Sequence, residues 1–477
     1  MALAQHLAYQ PAHELLRQMG AGELSPVELV EACLSRIDAL NPEINAFILV
    51  LADEARAAAK ESEERIARGE ARPLEGLPVP IKDIALVSGT PLTLGSRMSP
   101  PFPMPMDSES VARLRAAGAV IIGKTHMPEF GSTVAGRSER FGETRNPWSL
   151  EHSPGGSSSG AAAAVAAGMV PVAHGADGGG SLRIPASWTG LFTIKPTRGR
   201  ISEEPLGDMT GLVAQGFITR TVRDNALLLD QVHGYARGDR YWSSAVTRPF
   251  VDEVGADPGR LRIGWTTKPP YPTSVDPACI AAVERAASIL SDLGHEVEPH
   301  DPDWADEEAA ELFMTMWRAQ FGSVVDALAR FGLDTELLEP HSHALWQQSK
   351  DITGSDYLSA VGRSHDMLKR LDESFQKYDV LLTPTTAMPP LKIGWLFEDA
   401  ATDPLSPLIP RSAMAAPFTA IFNITGQPAA SWPLGWTDDG LPVGVQAAGQ
   451  MGDEAALFRL SAQVEAAAPW ADRRPKL

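Results

Sequence analysis

The hydrophobic residues of the chain follow two patterns, a helical period in some segments and short continuous apolar runs in others. Behind Ser25, which forms a capping box with Glu28, apolar residues recur at helical spacing and predict a helix. In the stretch 77–124, short apolar runs alternate with the helical segment 108–117. The pattern therefore predicts an α/β fold in which a central mixed, twisted sheet is covered by helices on both faces.

The same pattern places further elements along the chain. It predicts helices at 54–68, 108–117, 161–172, 279–293 and 454–468, a strongly helical segment at 301–377, and strands at 119–122, 169–173, 261–265 and 296–297. Strands alternate with helices at both ends of the chain and enclose a helical middle that depends on its neighbours. We therefore expect a single domain over 1–477.

Composition and charge narrow the classes of partner. The chain has 41 Lys and Arg residues against 60 Asp and Glu residues, a net charge of −19. An acidic protein repels phosphate backbones, so we expect no nucleic-acid partner. Cys33 and Cys279 are too few for a disulfide framework or a thiolate metal site. With no basic segment at 1–9 and no apolar run long enough to span a bilayer, we expect a cytoplasmic protein with no membrane contact.

Three successive glycines lead into a serine in the stretch 177–185, which reads Asp-Gly-Gly-Gly-Ser-Leu-Arg-Ile-Pro. Glycine lacks a Cβ, so consecutive N–H groups here could point to one position and bind an anion. Ser181 could then attack a carbonyl while these N–H groups hold the oxyanion. The strand predicted at 169–173 would place this stretch at a carboxyl end, where open α/β sheets hold their sites. The alternative is a flexible glycine turn.

Two further stretches carry candidate chemistry. The serine-rich loop 153–160 runs into an alanine-rich segment, so its serines lie where helix N-caps and free N–H groups are found. Lys82 ends a short apolar run and is followed by Asp83. Burial at the end of a strand would lower the pKa of this lysine and allow it to act as a base. The alternative is that Lys82 stays charged in a salt bridge, for example with Asp83.

These three stretches, in this order, resemble the amidase signature family of serine hydrolases. The resemblance spans nearly the whole chain and implies the amidase signature fold, with a core at about 77–219 and a variable helical segment at about 235–377 that helps to line the acyl pocket. It implies that Lys82 is the catalytic lysine, that Ser157 is a bridging serine held through a cis peptide, and that Ser181 is the nucleophile. The oxyanion hole then falls on the backbone of Gly178, Gly179, Gly180 and Ser181.

Other motifs compete with this interpretation. Gly156 to Gly160 satisfies the G-x-S-x-G pattern of a nucleophile elbow, which would make Ser158 the nucleophile. The loop lacks the Gly-Lys-Ser/Thr ending of a phosphate-binding loop. His341 and His343 have no nearby carboxylate or thiolate at metal-ligand spacing and are interpreted as a solvated or packing pair. We therefore assign no metal and no cofactor.

Within the family, the stretches 177–187 and 195–202 look most like the 6-aminohexanoate cyclic-dimer hydrolase branch, with aryl acylamidases and carbamate-cleaving members close by. The resemblance implies an amidase that cleaves a small linear or cyclic amide with a mostly apolar acyl group through an acyl-enzyme. A carbamate (urethane) or ester hydrolase is one alternative. Another is a protein like the amidase-type subunit of the tRNA-dependent amidotransferases, which acts with partner chains. The sequence leaves homodimer formation open.

Overall fold

The computed structural model describes residues 7–304, 309–398, 403–406 and 408–477. Within these ranges the chain forms a mixed α/β fold, as the sequence pattern predicts. The strands are β1 (Phe47–Val50), β2 (Pro78–Lys82), β3 (Val120–Thr125), β4 (Arg137–Ser138), β5 (Gly142–Glu143), β6 (Val172–Asp177), β7 (Phe192–Lys195), β8 (Ala214–Thr219), β9 (Arg262–Trp265), β10 (Glu296–Pro299), β11 (Val380–Pro384), β12 (Ala429–Trp436) and β13 (Pro442–Gly449).

The α-helices surround these strands. They are α1 (Ala12–Gly20), α2 (Pro26–Ile44), α3 (Ala52–Ala67), α4 (Glu109–Ala116), α5 (Ser159–Ala166), α6 (Arg183–Thr189), α7 (Val222–Val232), α8 (Phe250–Glu253), α9 (Pro277–Asp292), α10 (Ala309–Arg330), α11 (Pro340–Ser349), α12 (Gly354–Lys377), α13 (Leu408–Ala415), α14 (Ile421–Thr425) and α15 (Glu454–Ala467).

The largest sheet in the described ranges has eight strands in the order β10-β9-β11-β13-β12-β7-β8-β6. The strands β10, β9 and β11 pair in parallel, and the remaining neighbours pair antiparallel. A second sheet, β1-β3-β2, carries Lys82 at the end of β2. The Nζ atom of Lys82 donates to the carbonyl of Ala176 in β6 over 3.2 Å, so the ends of β2 and β6 lie side by side.

Both faces of the large sheet are buried along its inner strands, whereas the edge strand β10 is largely exposed. On β12, Ala430 joins a core cluster with Ala282 of α9, whereas the neighbouring Ala429 joins a different cluster with Phe418 and Phe422. Successive strand residues point to opposite faces, so each face has its own apolar layer. This arrangement confirms the prediction of a mixed sheet covered by helices.

Most of the predicted elements are confirmed. Ser25 and Glu28 form the capping box of α2. The helices predicted at 54–68, 108–117, 279–293 and 454–468 are α3, α4, α9 and α15, and the strands predicted at 119–122, 261–265 and 296–297 are β3, β9 and β10. The prediction for 161–173 is partly wrong, because α5 ends at Ala166 and β6 begins only at Val172. Gly168 takes a left-handed φ of 61°, and Pro171 has no N–H group to donate to a strand ladder.

The segment predicted as helical at 301–377 contains α10, α11 and α12, and its residues 305–308 lie outside the described residues. Its buried side chains share a cluster with the sheet, in which Leu312 and Met367 join Leu381 of β11. The division of 1–477 into one domain stays a prediction. No helix in the described part of the chain combines the length and apolar content that crossing a membrane requires.

Candidate active site

Lys82 lies at the end of β2 with 1% of its surface exposed. Its Nζ atom is 2.8 Å from Ser157 Oγ, 3.0 Å from Ser158 Oγ and 3.2 Å from the carbonyl oxygen of Ala176. Asp83 does not pair with it, because the Asp83 carboxylate forms a buried ion pair with Lys124 and accepts a hydrogen bond from the Thr93 hydroxyl. The alternative of a Lys82–Asp83 salt bridge is therefore wrong.

Burial determines the charge of Lys82. Removal of the ammonium group from water lowers the pKa of Lys82 to about 7, and the negative charge of Asp177 acts in the opposite direction without restoring the ordinary value. A large share of Lys82 is therefore neutral at neutral pH. A neutral amine that is hydrogen-bonded to a serine hydroxyl can accept the proton of that serine.

Ser157 follows a cis peptide bond from Gly156, which agrees with the family resemblance. The next residue, Ser158, is fully buried; its hydroxyl donates to the carbonyl of Ala176 and accepts from the N–H of the same residue. Ser181, by contrast, is partly exposed and lines a cavity. The elbow alternative is disfavoured, because Ser158 is enclosed by backbone whereas Ser181 is open to a ligand.

The turn that carries Ser181 is held by Asp177, the last residue of β6. One carboxylate oxygen of Asp177 accepts the N–H of Gly180 at 2.7 Å, and the other accepts the N–H of Leu182 at 3.2 Å. Arg183 binds both oxygens, each at 2.9 Å, and neither charged side chain is exposed. Burial alone would raise the pKa of Asp177, but the charge and hydrogen bonds of Arg183 hold that pKa well below its usual range. The fixed carboxylate thus sets the backbone of the turn.

Residues distant in sequence fasten the same turn. Asn423 Nδ2 donates to Asp177 Oδ1 at 2.9 Å and to the Asp177 carbonyl at 2.8 Å. Arg183 also donates to Gln446 Oε1 at 2.7 Å, and the Thr419 hydroxyl donates to the carbonyl of Gly179 at 2.7 Å. Hydrogen bonds from residues of the C-terminal part of the chain therefore stabilise the turn.

The four predicted oxyanion donors differ in their hydrogen bonds. The N–H of Gly180 is engaged by Asp177, whereas the N–H groups of Gly178, Gly179 and Ser181 have no partner among the described residues. The oxyanion hole stays a prediction, supported by three of the four groups. Likewise, Ser157 and Ser181 form no hydroxyl-to-hydroxyl hydrogen bond in the described chain, although Ser158 N–H donates to the carbonyl of Ser181 at 3.3 Å.

Ser181 opens onto an apolar cavity of about 160 Å³. The described residues that line it include no Asp, Glu, Lys, Arg or His. Two aromatic rings of α10, Phe313 and Trp317, stack in its wall with centroids 6.0 Å apart and planes at 14°. The cavity therefore suits an uncharged, apolar group next to the candidate nucleophile.

The predicted histidine pair packs against other side chains. His341 is buried, lies 3.0 Å from the Ser132 hydroxyl and packs on Phe397, while His343 packs on Trp346. Among the described residues, no group of three or more His, Cys, Asp and Glu side chains is arranged to hold a metal ion.

Sequence reasoning missed several residues at this site. Gly131 approaches Ser157 so closely that a Cβ on it would lie 3.0 Å from Ser157 Oγ. Thr419 and Phe313 were not singled out either, although the resemblance implies that the helical segment carrying Phe313 helps to line the acyl pocket. At Gly131 the residue type is the one local signal in the sequence, because glycine readily takes the φ of 68° that is observed there. The other contacts arise from tertiary packing.

The profile of the Amidase family matches residues 28–458. The chain belongs to the amidase signature family. The AmiB2 protein of Mycobacterium tuberculosis is 41% identical to this amidase over 481 residues, 99% of each chain. The 6-aminohexanoate-cyclic-dimer hydrolase of Paenarthrobacter ureafaciens is 37% identical over 480 residues, 97% of this chain and 95% of that protein.

Solved structures agree with the sequence relatives. A 6-aminohexanoate cyclic dimer hydrolase complexed with substrate superposes on this amidase with a TM-score of 0.93 and 34% identity, covering 98% of this chain and 99% of the other. A bacterial aryl acylamidase of the amidase signature family gives a TM-score of 0.87 with 29% identity over 97% of each chain. The resemblance inferred from the sequence is confirmed, and the protein is an amide-hydrolysing enzyme of this family.

Proposed function

We propose that this amidase hydrolyses small, uncharged carboxylic amides, linear or cyclic, with a mostly apolar acyl group, through a Ser181–Ser157–Lys82 triad. The observation that carries the proposal is the buried, largely neutral Lys82 hydrogen-bonded to Ser157 at 2.8 Å, beside a serine that opens onto an apolar cavity. Lysine is a poor base in water, and burial removes that obstacle.

In the proposed reaction, Ser181 Oγ attacks the carbonyl carbon while its proton passes to Ser157, whose own proton passes to Lys82 Nζ. The carbonyl oxygen becomes an oxyanion, held by the N–H groups of the turn 178–181. The carbon–nitrogen bond then breaks, and the proton returns along the same chain to the leaving amine. A water molecule attacks the acyl-enzyme by the same route and releases the carboxylic acid.

The cavity supports the proposed substrate class. An ionised substrate group placed there would lose its hydration without meeting an opposite charge among the described lining residues. The names of two relatives point the same way, because they describe hydrolysis of a cyclic amide dimer and of aryl acylamides. Carbamates and esters present the same carbonyl to Ser181, and a substrate panel separates them from amides.

Active-site labelling tests the nucleophile. We expect a serine-reactive phosphonate to modify wild-type protein at Ser181, Ser181→Ala to abolish the label, and Ser157→Ala to slow it. Ser158→Ala is the matched control, because this neighbouring hydroxyl also contacts Lys82 at 3.0 Å but is enclosed by Ala176. Loss of label in Ser158→Ala together with full turnover in Ser181→Ala would show that the nucleophile is misassigned.

Turnover of a panel of amides, anilides, carbamates and esters tests the substrate class. We expect the purified chain alone to release amine from neutral acyl amides. A requirement for partner chains would instead favour a role as one component of an amidotransferase. Preference for a substrate with a charged acyl group would contradict the proposal.

A further inference from the structure

Two aromatic side chains of α10 lie directly on the glycines that precede Ser181. A Cβ placed on Gly179 would lie 2.8 Å from Phe313 Cζ, and one on Gly178 would lie 3.1 Å from Trp317 Cζ3. The ring of Phe313 therefore touches the peptide whose N–H is predicted to hold the substrate oxygen. Phe313 and Trp317 are four residues apart, so they occupy the same face of the helix.

Thr419 and Ile184 also pack closely against the turn. A Cβ on Gly180 would lie 2.4 Å from Thr419 Oγ1 and 2.7 Å from Ile184 Cδ1. Thr419 also donates its hydroxyl to the carbonyl of Gly179, so the peptide that follows the Gly179 N–H is fixed by a hydrogen bond. A carbonyl bound to the turn would therefore lie next to a hydrogen-bonded backbone and the edge of the Phe313 ring.

We propose that Phe313, backed by Trp317, makes the enzyme select acyl groups that are unbranched at the carbon next to the reactive carbonyl. The inference rests on the proposed chemistry at Ser181. Attack requires the carbonyl carbon to come within about 3–3.5 Å of Ser181 Oγ. With its oxygen on the Gly179 N–H, the adjoining acyl carbon lies against the Phe313 ring. A straight chain continues past the ring edge into the apolar cavity, whereas a branch at that carbon meets the ring.

Three isomeric p-nitroanilides test this specificity at constant hydrophobicity. One carries a straight six-carbon acyl chain, the second has a methyl branch next to the carbonyl, and the third has the branch at the far end of the chain. A misplaced methyl group in an apolar pocket typically changes kcat/KM by roughly 10- to 200-fold. We expect wild-type protein to discriminate against the second isomer by at least about tenfold, and to accept the third nearly as well as the first.

Phe313→Ala should bring the kcat/KM ratio of the straight to the near-branched substrate close to unity. Phe313→Leu, which keeps an apolar side chain, is the second variant in case the alanine variant is poorly folded; it should reduce the ratio partly. Met314→Ala is the matched control, since Met314 lines the same cavity from the same helix and is not among the atoms nearest to the glycine turn. The Met314 variant should keep the wild-type ratio.

The outcomes separate this inference from the proposed function. If folded Phe313 variants hydrolyse the straight anilide with an unchanged ratio, the specificity assignment is wrong while the amidase chemistry stands. An equal relaxation of the ratio in Met314→Ala would also overturn it, because selectivity would then belong to the cavity as a whole. Failure of wild-type protein to hydrolyse any uncharged amide would refute the proposed function, and this inference with it.

Discussion

The pH dependence of amide hydrolysis should follow the titration of Lys82. With the pKa of Lys82 near 7, about 0.9 of the lysine is neutral at pH 8, whereas an ordinary pKa of 10.5 would leave only about 0.003. The buried environment therefore raises the neutral fraction of Lys82 about 300-fold at this pH. We expect kcat/KM to rise about tenfold per pH unit below 7 and to level off above about pH 8.

The assay uses a p-nitroanilide, since an uncharged substrate leaves only the enzyme to titrate. The release of p-nitroaniline is followed between about pH 5.5 and 9.5 in buffers of constant ionic strength. Lys82→Met should lower the plateau by roughly 10²- to 10⁴-fold, the usual contribution of a general base, and should remove the acid limb. Protein stability, measured on the same samples, separates this loss from unfolding.

A second buried lysine provides the control. Burial also lowers the pKa of Lys195 to about 7, but its Nζ atom donates to the carbonyl of Pro196 and, within the described ranges, forms no hydrogen bond with Ser157 or Ser181. The acid limb should therefore persist in Lys195→Met. His174 adds no limb in this range, because burial lowers its pKa to about 4. A flat wild-type profile, or a limb that survives in Lys82→Met, would refute the assignment of Lys82 as the base.

Three further predictions concern the charges around the base. The pKa of Lys82 is depressed in the fold, so its burial destabilises the protein fully below pH 7, and this cost disappears as the pH approaches 10.5. Lys82→Met should therefore stabilise the protein by up to about 5 kcal/mol at pH 6 and by much less at pH 9.5. Equal gains at both pH values in urea unfolding would contradict this. Asp177 raises the pKa of Lys82, so Asp177→Asn should move the acid limb of kcat/KM to lower pH, and a shift to higher pH would reverse the assigned sign. Arg183→Met leaves the buried Asp177 unpaired and should cost about 3–5 kcal/mol in urea unfolding, whereas a loss below about 1 kcal/mol would show that other donors suffice.

The core of the site could be predicted because its signals are local. Lys82 ends a continuous apolar run, and a residue at the end of a buried strand is desolvated whichever element covers it. The glycines and serines at 155–160 and 177–181 indicate that another group approaches the backbone closely, even though the sequence does not identify that group. The place of Asp177 at the end of a strand was also predictable, although the sequence assigned that carboxylate no role.

The rest depends on contacts between segments far apart in sequence. The apolar period of α10 shows that the helix is buried, but not that Phe313 rests on Gly179, since that register comes from packing against α11 and α12. The four N–H groups of the turn looked equivalent in sequence, yet Asp177 engages that of Gly180. The predicted end of α5 is wrong because the alanine-rich run favours a longer helix, whereas Gly168 and Pro171 disfavour its continuation.

The neutrality of Lys82 follows from how the neighbouring carboxylates are paired. A buried lysine stays charged when a carboxylate is available to it, and two carboxylates lie near, Asp83 by sequence and Asp177 by space. Asp83 is paired with Lys124, and both oxygens of Asp177 are bound by Arg183. Each carboxylate is already balanced, so the remaining field at Lys82 is too weak to offset desolvation. The Asp177–Arg183 pair, which fixes the turn of Ser181, thereby also leaves a large share of Lys82 neutral, so the geometry of the candidate site and its proton chemistry are coupled.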